Sequence, residues 1–204
     1  MANGVTPEVA QALLDVWFGP PGDPDHENHR EIWFKSSPEH DDMLRRRFLA
    51  DHERAAAGAL ESWEAAPESA LALLLLLDQI PRNIFRATPR AYATDSAARA
   101  AADRALVRGF DAALPGAWRK FLYMPLHHSE DLADQRRAVA LFESLPDYTG
   151  REGSRRYAMR YVEVIARFGR FPHRNEMLGR ASTAEEIAFM EAAKASAEAS
   201  IEGG

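Results

Sequence analysis

Four side chains stand out as acid–base candidates: Asp78, His128, Glu130 and His173. The two histidines lead, because an imidazole gains and loses its proton near neutral pH. Each of the four lies in a stretch dense in Arg, His or Asn. The first stretch, LLLLLDQIPRNIFRATPR at 73–90, puts Asp78 in what reads as the last turn of a helix, with Arg82, Asn83 and Arg86 just downstream. An acid there opposes the helix macrodipole by roughly 0.3–1 kcal/mol, so a cationic partner is expected. That partner is either an arginine clamp over a helix end or a guanidinium fork left open to a carboxylate or phosphate.

The second stretch, FLYMPLHHSEDLADQRR at 121–137, sets His127 and His128 after a Pro-containing turn. Ser129, Glu130 and Asp131 read as the cap and first turn of the helix that follows. Capping accounts for those three but not for the two histidines. A metal held by His128, Glu130, Asp131 and Asp134 matches no dependable ligand spacing, so neither metal nor cofactor is expected. The third stretch, RFGRFPHRNEMLGR at 167–180, displays Arg167, Arg170, His173, Arg174 and Asn175 around Gly169 and Pro172, which end a helix and keep it from resuming. A solvated basic loop accounts for this density, and so does the rim of an anion site.

Other chemistries lack a signature. The chain has no Cys, which removes thiolate nucleophiles, disulfides and Cys-ligated metals together. It has no phosphate-cradling Gly-rich loop, no nucleophile elbow and no His-Glu-x-x-His pair. A net charge of −6 argues against a nucleic-acid binder. The charge is uneven, with 14 acids against 6 bases in residues 1–70 and 8 arginines against 3 acids in residues 151–180.

The elements that must carry these stretches read as helices. At 204 residues and 46% hydrophobic, the chain can build one substantial core. Thr6-Pro7, Ser37-Pro38, Pro67, Thr94-Asp95, Ser129-Glu130-Asp131, Ser154 and Ser182-Thr183 are helix starts, about thirty residues apart. A further short turn is expected around Ile32-Trp33-Phe34. The apolar run Ala70–Leu77 predicts a helix buried on all sides, with Leu73, Leu74, Leu76, Leu77, Trp17 and Phe142 in the core. That run falls far short of the ~20 residues that span a bilayer, and Met1–Leu14 has no signal-peptide pattern, so a cytoplasmic protein without membrane contact is expected. No strand-period alternation appears. The fold expected is all-α, a single domain over 1–204 of stacked antiparallel α-hairpins, with the Ala-rich tail from about 192 to 204 frayed.

Five segments together resemble one bacterial family, the domain of unknown function nine-two-four: LLDVWFGP at 13–20, WF at 33–34, the run from Leu73 to Asp95, FLYMPLHHSEDLADQ and RFGRFPHRNEMLGR. The resemblance implies a tetratricopeptide-like helical fold and no established activity. The sequence departs from the family pattern at three places. His127 stands where Met is frequent, Tyr161 where His is usual and Ala87 where Gly is usual.

Two functional classes follow. As a binding module, the helical stack presents a concave pocket in which Asp78, Arg82, Asn83, Arg86, His128, Arg167, Arg170, His173, Arg174 and Asn175 receive an anionic small molecule or an acidic peptide. As an enzyme, it adds proton transfer by His128 or His173, assisted by Asp78 or Glu130, on a similar substrate. A helical scaffold with no pocket is a third possibility. The first two require residues 78–90, 121–131 and 167–175 to meet at one concavity with surplus positive charge, which Arg82→Ala and Arg174→Ala should abolish without unfolding the chain.

Overall fold

Helix α1 (Glu8–Phe18) buries Leu13, Leu14, Trp17 and Phe18, the i, i+3/i+4 face that its sequence marks. The computed structural model describes residues 6–33, 37–146, 148 and 150–202, with side chains through residue 195, so the expected turn at Ile32-Trp33-Phe34 is described only to Trp33. There a short 3-10 turn, Glu31–Trp33, packs Trp33 edge-on against Phe18 and Phe121. Helix α2 (Pro38–Ala56) opens as its sequence requires: the Ser37 side chain accepts the His40 N–H, with Pro38 at the first helical position.

The central helix does not end at Asp78. Helix α3 (Pro67–Leu74) passes through a π-helical turn, Leu75–Gln79, into α4 (Ile80–Ile84), and every residue from Leu71 to Pro81 is buried. Pro81 has no N–H to return to the preceding turn, so carbonyls are released that must find donors inside the core. Side chains supply them. Nδ1 of His52 bonds the Leu76 carbonyl at 2.8 Å, the Thr94 hydroxyl bonds that of Leu77 at 2.5 Å, and Arg82 bonds that of Asp78 at 2.7 Å. This corrects two expectations. Asp78 lies within a helix rather than in its last turn, and Thr94, at the N-cap of α5 (Asp95–Val107), spends its hydroxyl on Leu77 instead of capping.

Helix α6 (Gly116–His127) was not legible because Pro125 reads as a stop. Trp118, Phe121, Leu122, Tyr123 and Leu126 are buried along it, and their packing outweighs the one hydrogen bond a late proline removes. Helix α7 (Leu132–Glu143) is capped by Asp131, which accepts the Ala133 and Asp134 N–H groups. Helix α8 (Arg151–Phe168) starts at Gly150 rather than Ser154, and the Ser154 hydroxyl bonds Tyr148. Helix α9 (Ala184–Glu202) begins with a capping box between Thr183 and Glu186.

Consecutive helices α5 to α8 pack each on the next, while α1 packs on α3 and α2 on α4. The whole is one helical domain around α3, with all six expected core residues buried and no strand among the described residues. No described helix is long and apolar enough to cross a membrane. The π turn and the C-terminus of α6 place Asp78 beside His128, and the loop after α8 brings residues 171–175 to the same end.

Candidate functional site

Asp78 is 1% exposed, and its Oδ1 accepts Nδ1–H of His128 at 2.8 Å while Oδ2 accepts the Gln79 amide at 2.6 Å. The Arg82 guanidinium lies 3.0 Å from Oδ1. Burial pushes this carboxyl toward its neutral form, but the Arg82 charge and then His128 prevail and hold it well below the usual carboxylate range. An ionised carboxylate only accepts hydrogen bonds, so His128 carries its proton on Nδ1 and keeps the lone pair of Nε2. Burial and the Arg82 charge lower the His128 pKa, with Asp78 opposing, which leaves the ring neutral at pH 7. A carboxylate that orients a neutral imidazole is the arrangement of a general base.

Arg82 also reaches Asp95 at 2.9 Å, and Arg174 reaches that same carboxylate at 3.3 Å. The Arg174 guanidinium lies between the Tyr92 and Phe171 rings, at 4.7 and 4.5 Å. Its Nε is buried and finds no hydrogen-bond acceptor among the described residues. Burial, and then the like charge of Arg82, push its pKa down. Around these groups opens a cavity of about 410 Å³ whose wall includes Arg82, Arg86, Tyr92, His128, His173 and Arg174. Residues from all three stretches thus meet at one concavity. His173 sits at its rim, its pKa lowered by partial burial and by Arg174 beside it.

The remaining candidates are elsewhere or otherwise engaged. Asn83 and Arg86 both bind Asp41 of α2, although Arg86 still borders the cavity. Glu130 neither caps α7 nor faces His128; it takes a paired contact from Arg180 and accepts the Phe171 N–H at 2.8 Å, which pins the 171–175 loop. Arg170 is bound to Glu186 by two hydrogen bonds, and this partner, the Thr183 N–H and the Asn175 amide draw the Glu186 pKa down to about 2. Arg167 pairs with Glu185 on the surface. Asn175 is buried on Ser182 and Glu186. These four residues build the loop rather than line the cavity.

Asp95, Asp41 and Tyr92 were missed. In sequence Asp95 is part of a helix start and nothing singles out Asp41; only their partners from distant segments mark them out. Their presence also lowers the surplus positive charge expected of the site. The departures at 127 and 161 meet: the two rings stack at 4.1 Å, and Tyr161 borders the cavity. Ala87, the third departure, has φ 59°, the left-handed conformation that favours glycine. Among the described residues no three or more His, Asp or Glu side chains gather as a metal site, and His128, Glu130, Asp131 and Asp134 each face a different partner.

The fold and site define a class: an all-helical single domain in which a buried Asp–His pair backs an arginine-bearing cavity. The chain belongs to the family described as bacterial protein of unknown function (DUF924), which it matches over residues 13–194. It is similar to a solved structure described as a protein of unknown function, ATU0120, from Agrobacterium tumefaciens. The identity is 39% and the TM-score 0.79, over 90% of this chain and 97% of that one. No curated protein matches it.

Proposed function

We propose that the protein binds a small anionic molecule, a carboxylate or a phosphate, in the cavity between Arg82, His128 and Arg174. One observation carries this reading: the cavity wall bears three arginines and two histidines and no carboxylate, since Asp78, Asp95 and Asp41 are not among its lining residues. Arg174 is the principal donor. Its guanidinium gives one terminal N–H to Asp95 and makes no other hydrogen bond among the described residues. An anion in the cavity would add charge-assisted contacts to the guanidinium and offset the repulsion between Arg174 and Arg82. A volume of about 410 Å³ suits a metabolite better than a peptide, so the small molecule is preferred over an acidic peptide. A thermal-shift screen of anionic metabolites tests this, because a ligand at ~100 times its Kd adds about 2.7 kcal/mol of apparent stability. Stabilisation by anions in the wild type but not in Arg174→Ala supports the reading. Stabilisation by cations alone, or an Arg174→Ala response equal to wild type, overturns it.

The Asp78–His128 pair favours a second reading, an enzyme in which His128 takes a proton from the bound anion. Its test is solvent-deuterium exchange into C–H groups next to the carboxylate or carbonyl of a bound anion, followed by NMR. Exchange that disappears in His128→Gln, with anion affinity kept, marks catalysis. No exchange with any bound anion leaves the binding module.

A further inference from the structure

A second chamber of about 430 Å³ adjoins the arginine cavity, and the two share His128 and Tyr161. Its character is different. Met124, Phe142, Tyr157 and Tyr161 line it, and none of its lining residues is an acid. The basic groups on its wall are drawn toward their neutral forms by burial: Lys120 down to about 7, and His29 and His127 below their ordinary value. The Lys120 head group lies over the Trp33 and Phe121 rings, at 3.9 and 4.9 Å, within the aromatic core.

Gly153 is the sharpest feature of this wall. It is the third residue of α8, with a helical backbone that does not require glycine. A Cβ at this position would meet nothing within 4 Å. The absent side chain leaves this part of the chamber wall open.

Resting on the anion reading above, we infer that the ligand is an amphiphilic acid: its carboxylate or phosphate lies at Arg174 and its aryl or alkyl tail passes His128 and Tyr161 into the Met124–Phe142–Tyr157 chamber. The charge pattern supports this order, with the arginines confined to one cavity and the exposed surface of the other mostly apolar. His128, on both walls, then faces the carbon atoms next to the acid group.

Isothermal titration on the full chain tests the inference with acetate and inorganic phosphate as head groups, butanoate, hexanoate, octanoate and 3-phenylpropanoate as tailed acids, and 3-phenylpropan-1-ol as the neutral control. Affinity should rise by roughly fourfold per buried methylene until the chamber is full. Gly153→Leu, which crowds the chamber wall, should cancel that gain while acetate and phosphate bind as before. Tyr157→Ala, which removes part of the wall, should reduce the gain for the aryl acid and serves if the leucine variant fails to fold. If head groups bind and the tail adds nothing, or if both variants keep the full gain, the tail assignment falls while the anion reading stands. If 3-phenylpropan-1-ol binds as tightly as the acid, or if no acid binds at all, both fall.

Discussion

Asp78 and His128 are fifty residues apart in the chain, yet Oδ1 of one accepts Nδ1–H of the other at 2.8 Å inside the core. The contact couples the π turn to the end of α6, so the helix irregularity and the candidate chemistry are parts of one arrangement. Asp78→Ala should cost about 3–5 kcal/mol in urea unfolding, because Arg82 keeps its charge after its innermost partner is gone. Asp78→Asn, which can still accept from His128, should cost less. An alanine variant within 1 kcal/mol of wild type, by the same ~3–5 kcal/mol reasoning, would show that the cluster does not hold this end together.

Arg82 and Arg174 separate stability from binding. Arg82 serves both Asp78 and Asp95, so Arg82→Ala should destabilise the fold by a few kcal/mol, on the order of 3. Arg174→Ala leaves Asp95 paired with Arg82 and should cost less in unfolding while abolishing the anion response. Paired denaturation and thermal-shift curves for the two variants check this. Equal destabilisation by both would contradict it.

Ala87 offers a change in the opposite direction. Its φ of 59° carries a left-handed strain of roughly 1–2 kcal/mol for a residue with a Cβ, and glycine removes it at an unfolded-state entropy cost of about 0.4–1 kcal/mol. Ala87→Gly should therefore be neutral or stabilising by up to ~1.6 kcal/mol, against the loss usual for this substitution. A clear drop in unfolding midpoint would count against the strain.

Acid should destabilise the protein earlier than its carboxylates alone would require. His127 and His128 are buried with pKa values pushed below 6.5, chiefly by desolvation. Above about pH 6.5 both are neutral in folded and unfolded chains; below it the unfolded chain takes up protons that the folded one refuses, so stability falls as pH falls. As pH falls below about 6.5 the loss should approach ~1.4 kcal/mol per pH unit for each histidine that stays neutral in the folded chain, and His127, the more strongly desolvated ring, should contribute over the wider range. His127→Met should remove one histidine's share of that slope. Parallel slopes for variant and wild type would place the acid sensitivity elsewhere.

The central helix should be the most sensitive part of the core. Leu76 is fully buried, and Leu76→Ala should cost about 2–5 kcal/mol. Thr94→Val keeps the shape but leaves the Leu77 carbonyl without its side-chain donor, for about 1–3 kcal/mol. A valine variant as stable as wild type would mean that the π turn does not depend on Thr94.

Local chemistry made much of this protein readable. Ser37-Pro38, Asp131 and the Thr183–Glu186 box start helices by bonds to N–H groups a turn away, and the Ala70–Leu77 run has no polar face to expose, so it must lie at the centre. The three Arg- and His-rich stretches were legible for the same reason, since their density exceeds what helix stops require. Long-range pairing decided the rest. Pro125 and Pro81 read as helix ends, but core packing and the donors of His52 and Thr94 carry the helices through them. Arg167, Arg170, Glu130 and Asn175 resemble Arg174 and His173 in sequence. Partners from distant segments, Glu185, Glu186 and Arg180, assign the first four to building the loop and leave Arg174 at the cavity. Composition and spacing fix what a side chain can bond; which partner it meets depends on segments that only the folded chain brings together.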